Sequence, residues 1–188
     1  MPASVAGAAW GTLPAGITPD HIADPERWVP KTTSDQDRTI LAHLRAAYQS
    51  AHIARVRAQE MMNDPAAVAA ALTPLLGARE FEAFLVIPLD CRCRAIDVVE
   101  ISRGDVDGCE AFPRKVVQAA LAMGATSAIV AHNHPTGVSL PSAADAAVTR
   151  RLAQALRTLD CPLDDHLVIA RGGAWTSLRQ QQPHLFVG

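Results

Sequence analysis

The chain is expected to fold as an α/β (α+β) protein: a mixed β-sheet flanked by helices, with a helical extension at its N-terminal side. Strand-like apolar runs alternate with helix-period segments from about residue 81 onward, most of those helices carry recognisable start and stop residues, and no internal repeat is present. Each strand and each helix has an apolar side to bury, and covering the sheet with the helices satisfies both at once. With 188 residues, 49% of them hydrophobic and 19% charged, the chain is long enough for one sizeable core and too short for two large domains. Its 13 prolines and 11 glycines form no low-complexity block, so most of it is expected to be ordered.

Residues 1–33 read as an irregular segment rich in Pro, Gly and Asp, with Trp10 and Trp28 as expected anchors. Residues 34–64 form the extension. After Ser34-Asp35, Leu41, Leu44, Tyr48 and Ala51 recur at helical spacing as far as Met61-Met62, and Asn63-Asp64-Pro65 breaks the pattern. Arg45, Arg55 and Arg57 are expected on a solvated face of this helix, and Met61 and Met62 in the core. A single domain is expected over 65–180, with a tail at 181–188. Its first helix has Pro65 in the opening turn, runs to Leu76 and stops at Gly77.

The period then changes to that of strands. Phe81 to Leu89 and Ala95 to Ile101 are two apolar runs, and residues 90–94 are the hairpin connection between them. Pro88 cannot donate to a ladder, which predicts an edge position or a bulge. Beyond Gly104 to Gly108, Pro113 opens a helix that ends at Gly124, followed by a strand from Thr126 to His132 and a helix from Ser142 to Leu159. Leu167 to Ala170 is a strand that turns at Gly172-Gly173 into Ala174 to Leu178.

Charge excludes some functions. Seventeen Lys and Arg stand against 19 Asp and Glu, for a net charge of −2, so the chain lacks the excess of positive charge on which non-specific nucleic-acid binding depends. Apolar stretches such as Val68 to Leu72 and Ala128 to Ala131 fall far short of the ~20 residues of a bilayer span. Residues 1–10 lack the charged start and apolar centre of a secretory signal, which makes the cytoplasm the expected compartment. There the four cysteines, Cys91, Cys93, Cys109 and Cys161, are expected to be free thiols. Cys91-x-Cys93 has no second ligand pair at zinc-site spacing nearby.

The chemistry concentrates in Ala131-His132-Asn133-His134-Pro135 and Pro141-Ser142-Ala143-Ala144-Asp145. Residues i and i+2 of a strand share a face, so His132 and His134 leave the strand end side by side. Ser142 begins the next helix and puts Asp145 in its first turn, within reach of a cation held at the strand end. Two imidazoles and one carboxylate leave zinc one position short of tetrahedral, which is the pattern of a catalytic site. The metal would lower the pKa of a water in that position to roughly 7. A general base is also needed, for which Glu80, Glu82, Glu100 and Glu110 are the candidates. A simple capping box would equally explain Ser142 and Asp145.

The string His132-x-His134, seven residues from Pro135 to Pro141, then Ser142-x-x-Asp145 resembles the JAMM (JAB, MPN+) metalloprotease motif. The flanks resemble the RadC branch of that superfamily from about Phe81 to Leu178. The matching pieces are Glu82-x-Phe84 with Leu89-Asp90, Arg103-Gly104, Pro113 to Val117, Ala128 to Gly137, Thr149-x-x-Leu152 and Leu163-x-Asp165-His166-Leu167-Val168-Ile169. The resemblance implies a cytidine-deaminase-like JAB/MPN fold and one Zn²⁺ per chain on His132, His134 and Asp145. It also implies a general base at Glu82, with Glu80 as the alternative, an oxyanion-supporting hydroxyl at Ser142, and amide hydrolysis in a peptide or protein substrate. Asn133 and the Asp165-His166 pair are expected to be structural, the latter as a buried hydrogen-bonded pair.

Several positions depart from the RadC pattern. No helix-hairpin-helix precedes Glu80, Gly104-Asp105-Val106 stands where Gly-Thr-Leu is usual, and Ser177-Leu178-Arg179-Gln180 replaces Ser-Phe-x-Glu. These changes spare the metal ligands and weaken any link to DNA repair. Three competing readings are a DNA-repair-associated accessory protein, a zinc-binding module without activity, and an HNH nuclease. The last requires its letters spread over a ββα finger, whereas His132-Asn133-His134 is contiguous. The long helix also offers a surface for pairing with a second copy.

Overall fold

The structure, a computed structural model, describes residues 34–59, 61–104 and 111–187. Helix α1 (Asp35–Arg57) starts where Ser34 caps the Asp37 N–H, and it carries acidic residues in its first turn and Arg55 and Arg57 in its last, the order that suits the helix dipole. It stops at Ala58, short of the expected Met61-Met62. The two methionines then part company: Met62 is buried and Met61 is 53% exposed, so only the first belongs to the core. Arg55 and Arg57 are exposed as expected. Helix α2 (Pro65–Leu76) has Pro65 in its first turn, as the sequence predicts, and Asp64 as its cap.

Among the described residues five strands form one sheet: β1 (Ala83–Leu89), β2 (Val99–Arg103), β3 (Ser127–His134), β4 (Leu163–Ala170) and β5 (Trp175–Ser177), in the order β2-β1-β3-β4-β5. Only β3 and β4 run parallel, and helix α4 (Ala143–Arg157) lies between them in the chain. Helix α3 (Ala111–Ala122) precedes β3, and a short helix α5 (Leu178–Gln181) follows β5. Several boundaries move relative to expectation: β1 starts at Ala83 and not Phe81, and β4 starts at Leu163, four residues before the expected Leu167. β2 is shorter than the Ala95 to Ile101 run, since Ala95 contributes only an isolated bridge to Leu89. β3 extends through His134.

Pro88 is the instructive exception. β1 is internal, not an edge, and the register shift in its pairing with β2 lies between Phe84 and Leu85. Pairing with β2 has ended by Val86, and the Pro88 carbonyl accepts the Ile96 N–H instead. The proline therefore lies past the last β1/β2 pair, beside residues 95 and 96, which make only isolated contacts with β1, and its missing N–H interrupts no bond of the β1/β2 ladder.

Alternation along the strands sorts the core into two halves. Ala83, Leu85, Ile87, Leu89, Ile129, Ala131, Leu167 and Ile169 pack with Val56 of α1 and with α2. Phe84, Val86, Ala128, Val130 and Val168 pack with Val116 and Ala120 of α3 and with Leu152 and Leu156 of α4. The result is three layers with the sheet in the middle. Cys91 is exposed, Cys93 half-buried and Cys161 buried, all three as free thiols. Trp10, Trp28, Cys109 and Glu110 lie outside the described residues. No helix among the described residues is long and apolar enough to cross a membrane.

Candidate metal centre

His132 pairs across the sheet with Phe84 and so shares the face covered by α3 and α4. His134, two residues on, projects from the same face at the end of β3. A turn containing Gly137, at φ +83°, leads to α4. The helix begins with a complete capping box: Ser142 Oγ accepts the Asp145 N–H, and Asp145 Oδ2 accepts the Ser142 N–H at 2.6 Å. The cap explanation and the ligand explanation hold together, because the carboxylate has two oxygens. Oδ2 anchors the helix start, while Oδ1 lies 3.0 Å from His132 Nε2.

The three side chains converge. His132 Nε2 is 3.0 Å from His134 Nε2, and His134 Nε2 is 3.5 Å from Asp145 Oδ2. Donors 2.0–2.1 Å from a tetrahedral zinc stand about 3.3 Å apart, so this donor set fits one such ion. His134 Nδ1 lies 2.9 Å from the Val138 carbonyl, which can only accept; Nδ1 therefore carries the proton and Nε2 presents its lone pair. The His132 side chain is 2% exposed, that of His134 14% and that of Asp145 17%, which makes the cluster closed on the sheet side and open on the other. Burial alone would raise the Asp145 carboxyl. The adjacent His132 ring and the two bonds from Ser142 outweigh it and hold the group well below the usual carboxylate range.

The glutamates separate by face. Glu100 pairs across from Leu85, on the α1/α2 side, and is bound by Arg79 at 2.6 Å and Arg103 at 3.0 Å; it is withdrawn as a candidate base. Glu80 is 45% exposed and lies 3.8 Å from Arg171. Glu82 lies immediately before β1, two residues ahead of Phe84, the strand partner of His132, and strand alternation carried back to it gives the histidine face. Asn133 points the other way, as expected. It accepts the Ala83 N–H at 2.8 Å and donates to the Phe81 carbonyl at 3.0 Å, so it clamps the backbone on both sides of Glu82.

Asp165 and His166 are not a mutual side-chain pair. Asp165 accepts the backbone N–H groups of His166 and Arg179 and the Ser177 hydroxyl, tying β4 to the start of α5. Burial raises its carboxyl despite these bonds. The fully buried His166 ring instead lies 2.8 Å from His132 Nδ1 and 2.6 Å from Thr149 Oγ1. Burial pushes it well below the usual imidazole range, and the neighbouring His132 adds to that. The signal for Thr149 was its place four residues after Asp145, one turn further along the same helix face.

A family model described as the RadC-like JAB domain matches residues 62–183. The chain belongs to the RadC-like JAB domain family. UPF0758 proteins are among the relatives of this RadC-like domain. One from Xanthomonas oryzae pv. oryzae (strain PXO99A) is 42% identical over 132 residues, which is 69% of this chain and 59% of that protein. One from Xanthomonas campestris pv. campestris (strain 8004) is 45% identical over 113 residues, 60% of this chain and 50% of the relative. A third, from Thiobacillus denitrificans (strain ATCC 25259 / T1), is 41% identical over 119 residues, 63% and 53% of the two chains. The RadC-like chain thus spans between half and three fifths of the curated relatives it matches, and their designation specifies no reaction.

Proposed function

We propose that the chain is a zinc-dependent hydrolase of amide bonds, a metallopeptidase or isopeptidase acting on a peptide or protein. The observation that supports this reading most strongly is the convergence of His132 Nε2, His134 Nε2 and Asp145 on one point with a partly exposed side. Zinc held there would supply a water of lowered pKa and a Lewis acid for the scissile carbonyl. Glu82 is assigned as the general base: its carboxylate takes the proton from the attacking water and returns it to the leaving amine. Its place two residues before Phe84, the strand partner of His132, with Asn133 holding the flanking backbone, supports that role. Ser142 is assigned to the oxyanion. Its hydroxyl donates to Asp145 Oδ2 at 2.7 Å, so in that role it turns away from the carboxylate, whose Oδ2 keeps the bond from the Ser142 N–H.

The test combines metal analysis with a panel of peptide and isopeptide substrates. Glu82→Gln is expected to keep one zinc per chain and lose hydrolysis, while His134→Ala and Asp145→Ala lose the metal. Equal zinc loss in all three would overturn the assignment of the base, and a zinc-loaded protein that cleaves nothing in the panel would overturn the hydrolase reading.

A further inference from the structure

We infer that Thr149 and His166 are positioning residues that set the tautomer of His132 so that its Nε2 lone pair faces the metal position. The inference rests on the metal-binding part of the function proposed above and not on the hydrolysis.

The direction of each hydrogen bond follows from a count of protons. Thr149 Oγ1 lies 2.6 Å from the Asp145 carbonyl oxygen and 2.6 Å from His166 Nδ1. A carbonyl oxygen has no hydrogen to give, so a contact that short needs the threonine proton, and the hydroxyl has only one. Donation from a helical threonine to the carbonyl four residues back is a common local bond. With its proton committed, Oγ1 can only accept from the ring, which places a proton on His166 Nδ1. The His166 ring is completely buried and hydrogen-bonds to Thr149 and His132, not to a carboxylate, and an uncompensated charge there would be costly. The ring is therefore neutral and its Nε2 bare. Nε2 stands 2.8 Å from His132 Nδ1, so that bond requires the proton on His132 Nδ1. What remains for metal binding is His132 Nε2, the atom aimed at His134 Nε2 and Asp145 Oδ1.

The two histidine ligands thus reach the same state by different routes. His134 is set directly by the Val138 carbonyl at 2.9 Å. His132, buried where β3 meets β4, is set through a chain that begins at the backbone of Asp145, the third ligand. Phe84 holds both rings of that chain in place, stacked parallel to His132 with centroids 5.9 Å apart and edge-on to His166 at 5.3 Å. Groups of this kind behind a metal ligand typically change metal affinity by roughly 10–100-fold when removed.

The test reads tautomers directly. In protein labelled with ¹⁵N-histidine and loaded with zinc, two-bond ¹H–¹⁵N correlation is expected to show His166 and His132 each protonated on Nδ1 alone. Thr149→Val removes the hydroxyl at nearly constant volume. It is expected to release the His166 tautomer and weaken zinc binding roughly 10–100-fold in chelator competition, with Thr149→Ser restoring both. A wild-type spectrum with the His166 proton on Nε2 overturns the inference while zinc still binds, and it requires no variant to fold. A folded Thr149→Val protein with unchanged tautomers and zinc affinity also overturns it. Failure of the wild type to bind zinc would instead remove the metal reading underneath.

Discussion

Replacing Asn133 by Ala removes two short hydrogen bonds and a longer one, 3.5 Å, to the Arg79 carbonyl. The side chain is 1% exposed, accepts from Ala83 N at 2.8 Å and donates to the Phe81 carbonyl at 3.0 Å. A buried donor or acceptor left without a partner costs about 1–3 kcal/mol. Phe81 is only half-buried, so water can recover part of the carbonyl term, and the expected loss is about 2–4 kcal/mol. With a urea slope of about 2 kcal/mol per molar, the unfolding midpoint should fall by roughly 1–2 M. Equilibrium unfolding followed by circular dichroism measures this. Zinc stoichiometry should remain at the wild-type value, because the Asn133 side chain leaves the opposite face of β3 from the ligands, whereas turnover should drop as the backbone around Glu82 loosens. A midpoint within about 0.3 M of wild type at unchanged slope would refute the view that Asn133 clamps this segment.

Burial alone would raise the Glu100 carboxyl, but its bonds to Arg79 and Arg103 outweigh it and lower its pKa from the ordinary 4.5. Its contribution to stability is therefore complete above the unfolded carboxylate value and lost as pH falls through the lower, folded one; in Glu100→Gln, denaturation between pH 7 and pH 3 should be less steep than in wild type. Leu156→Ala, at a fully buried position of α4, should cost about 2–5 kcal/mol by chemical denaturation, while Ile40→Ala, at a residue 49% exposed, should stay within about 0.5 kcal/mol. Zinc at one hundred times its dissociation constant should add about 2.7 kcal/mol to folding, seen as a rise in Tm of roughly 5–10 °C for a chain of this size, and His134→Ala should abolish that rise.

Much of the centre is legible in the sequence because it rests on local rules. A two-residue period places His132 and His134 together, and a three-residue cap spacing brings Asp145 to the helix start; both are fixed within a few residues of chain. The glutamates show where local rules stop. Glu82 and Glu100 have the same chemistry, and only the pairing of Leu85 with Glu100 and of Phe84 with His132 puts them on opposite faces. Pro88 is read as an edge signal since a ladder normally needs its N–H, and nothing in the sequence reveals that β2 stops short of it. Met61 and Met62 are indistinguishable by composition and are separated by where α1 ends. His166 stands out only once β4 is known to lie parallel to β3, with Val130 opposite it.

The double duty of Asp145 bears on how the centre should be dissected. One oxygen holds the opening turn of α4 and the other faces His132, so no substitution at this position is a pure metal knockout; it also frays the helix on which Thr149 and Leu156 ride. His134, whose Nδ1 is held by a turn carbonyl and caps no helix, is the cleaner lesion, and amide exchange at Ala143 to Ala146 becomes a reporter for whether the carboxylate is seated.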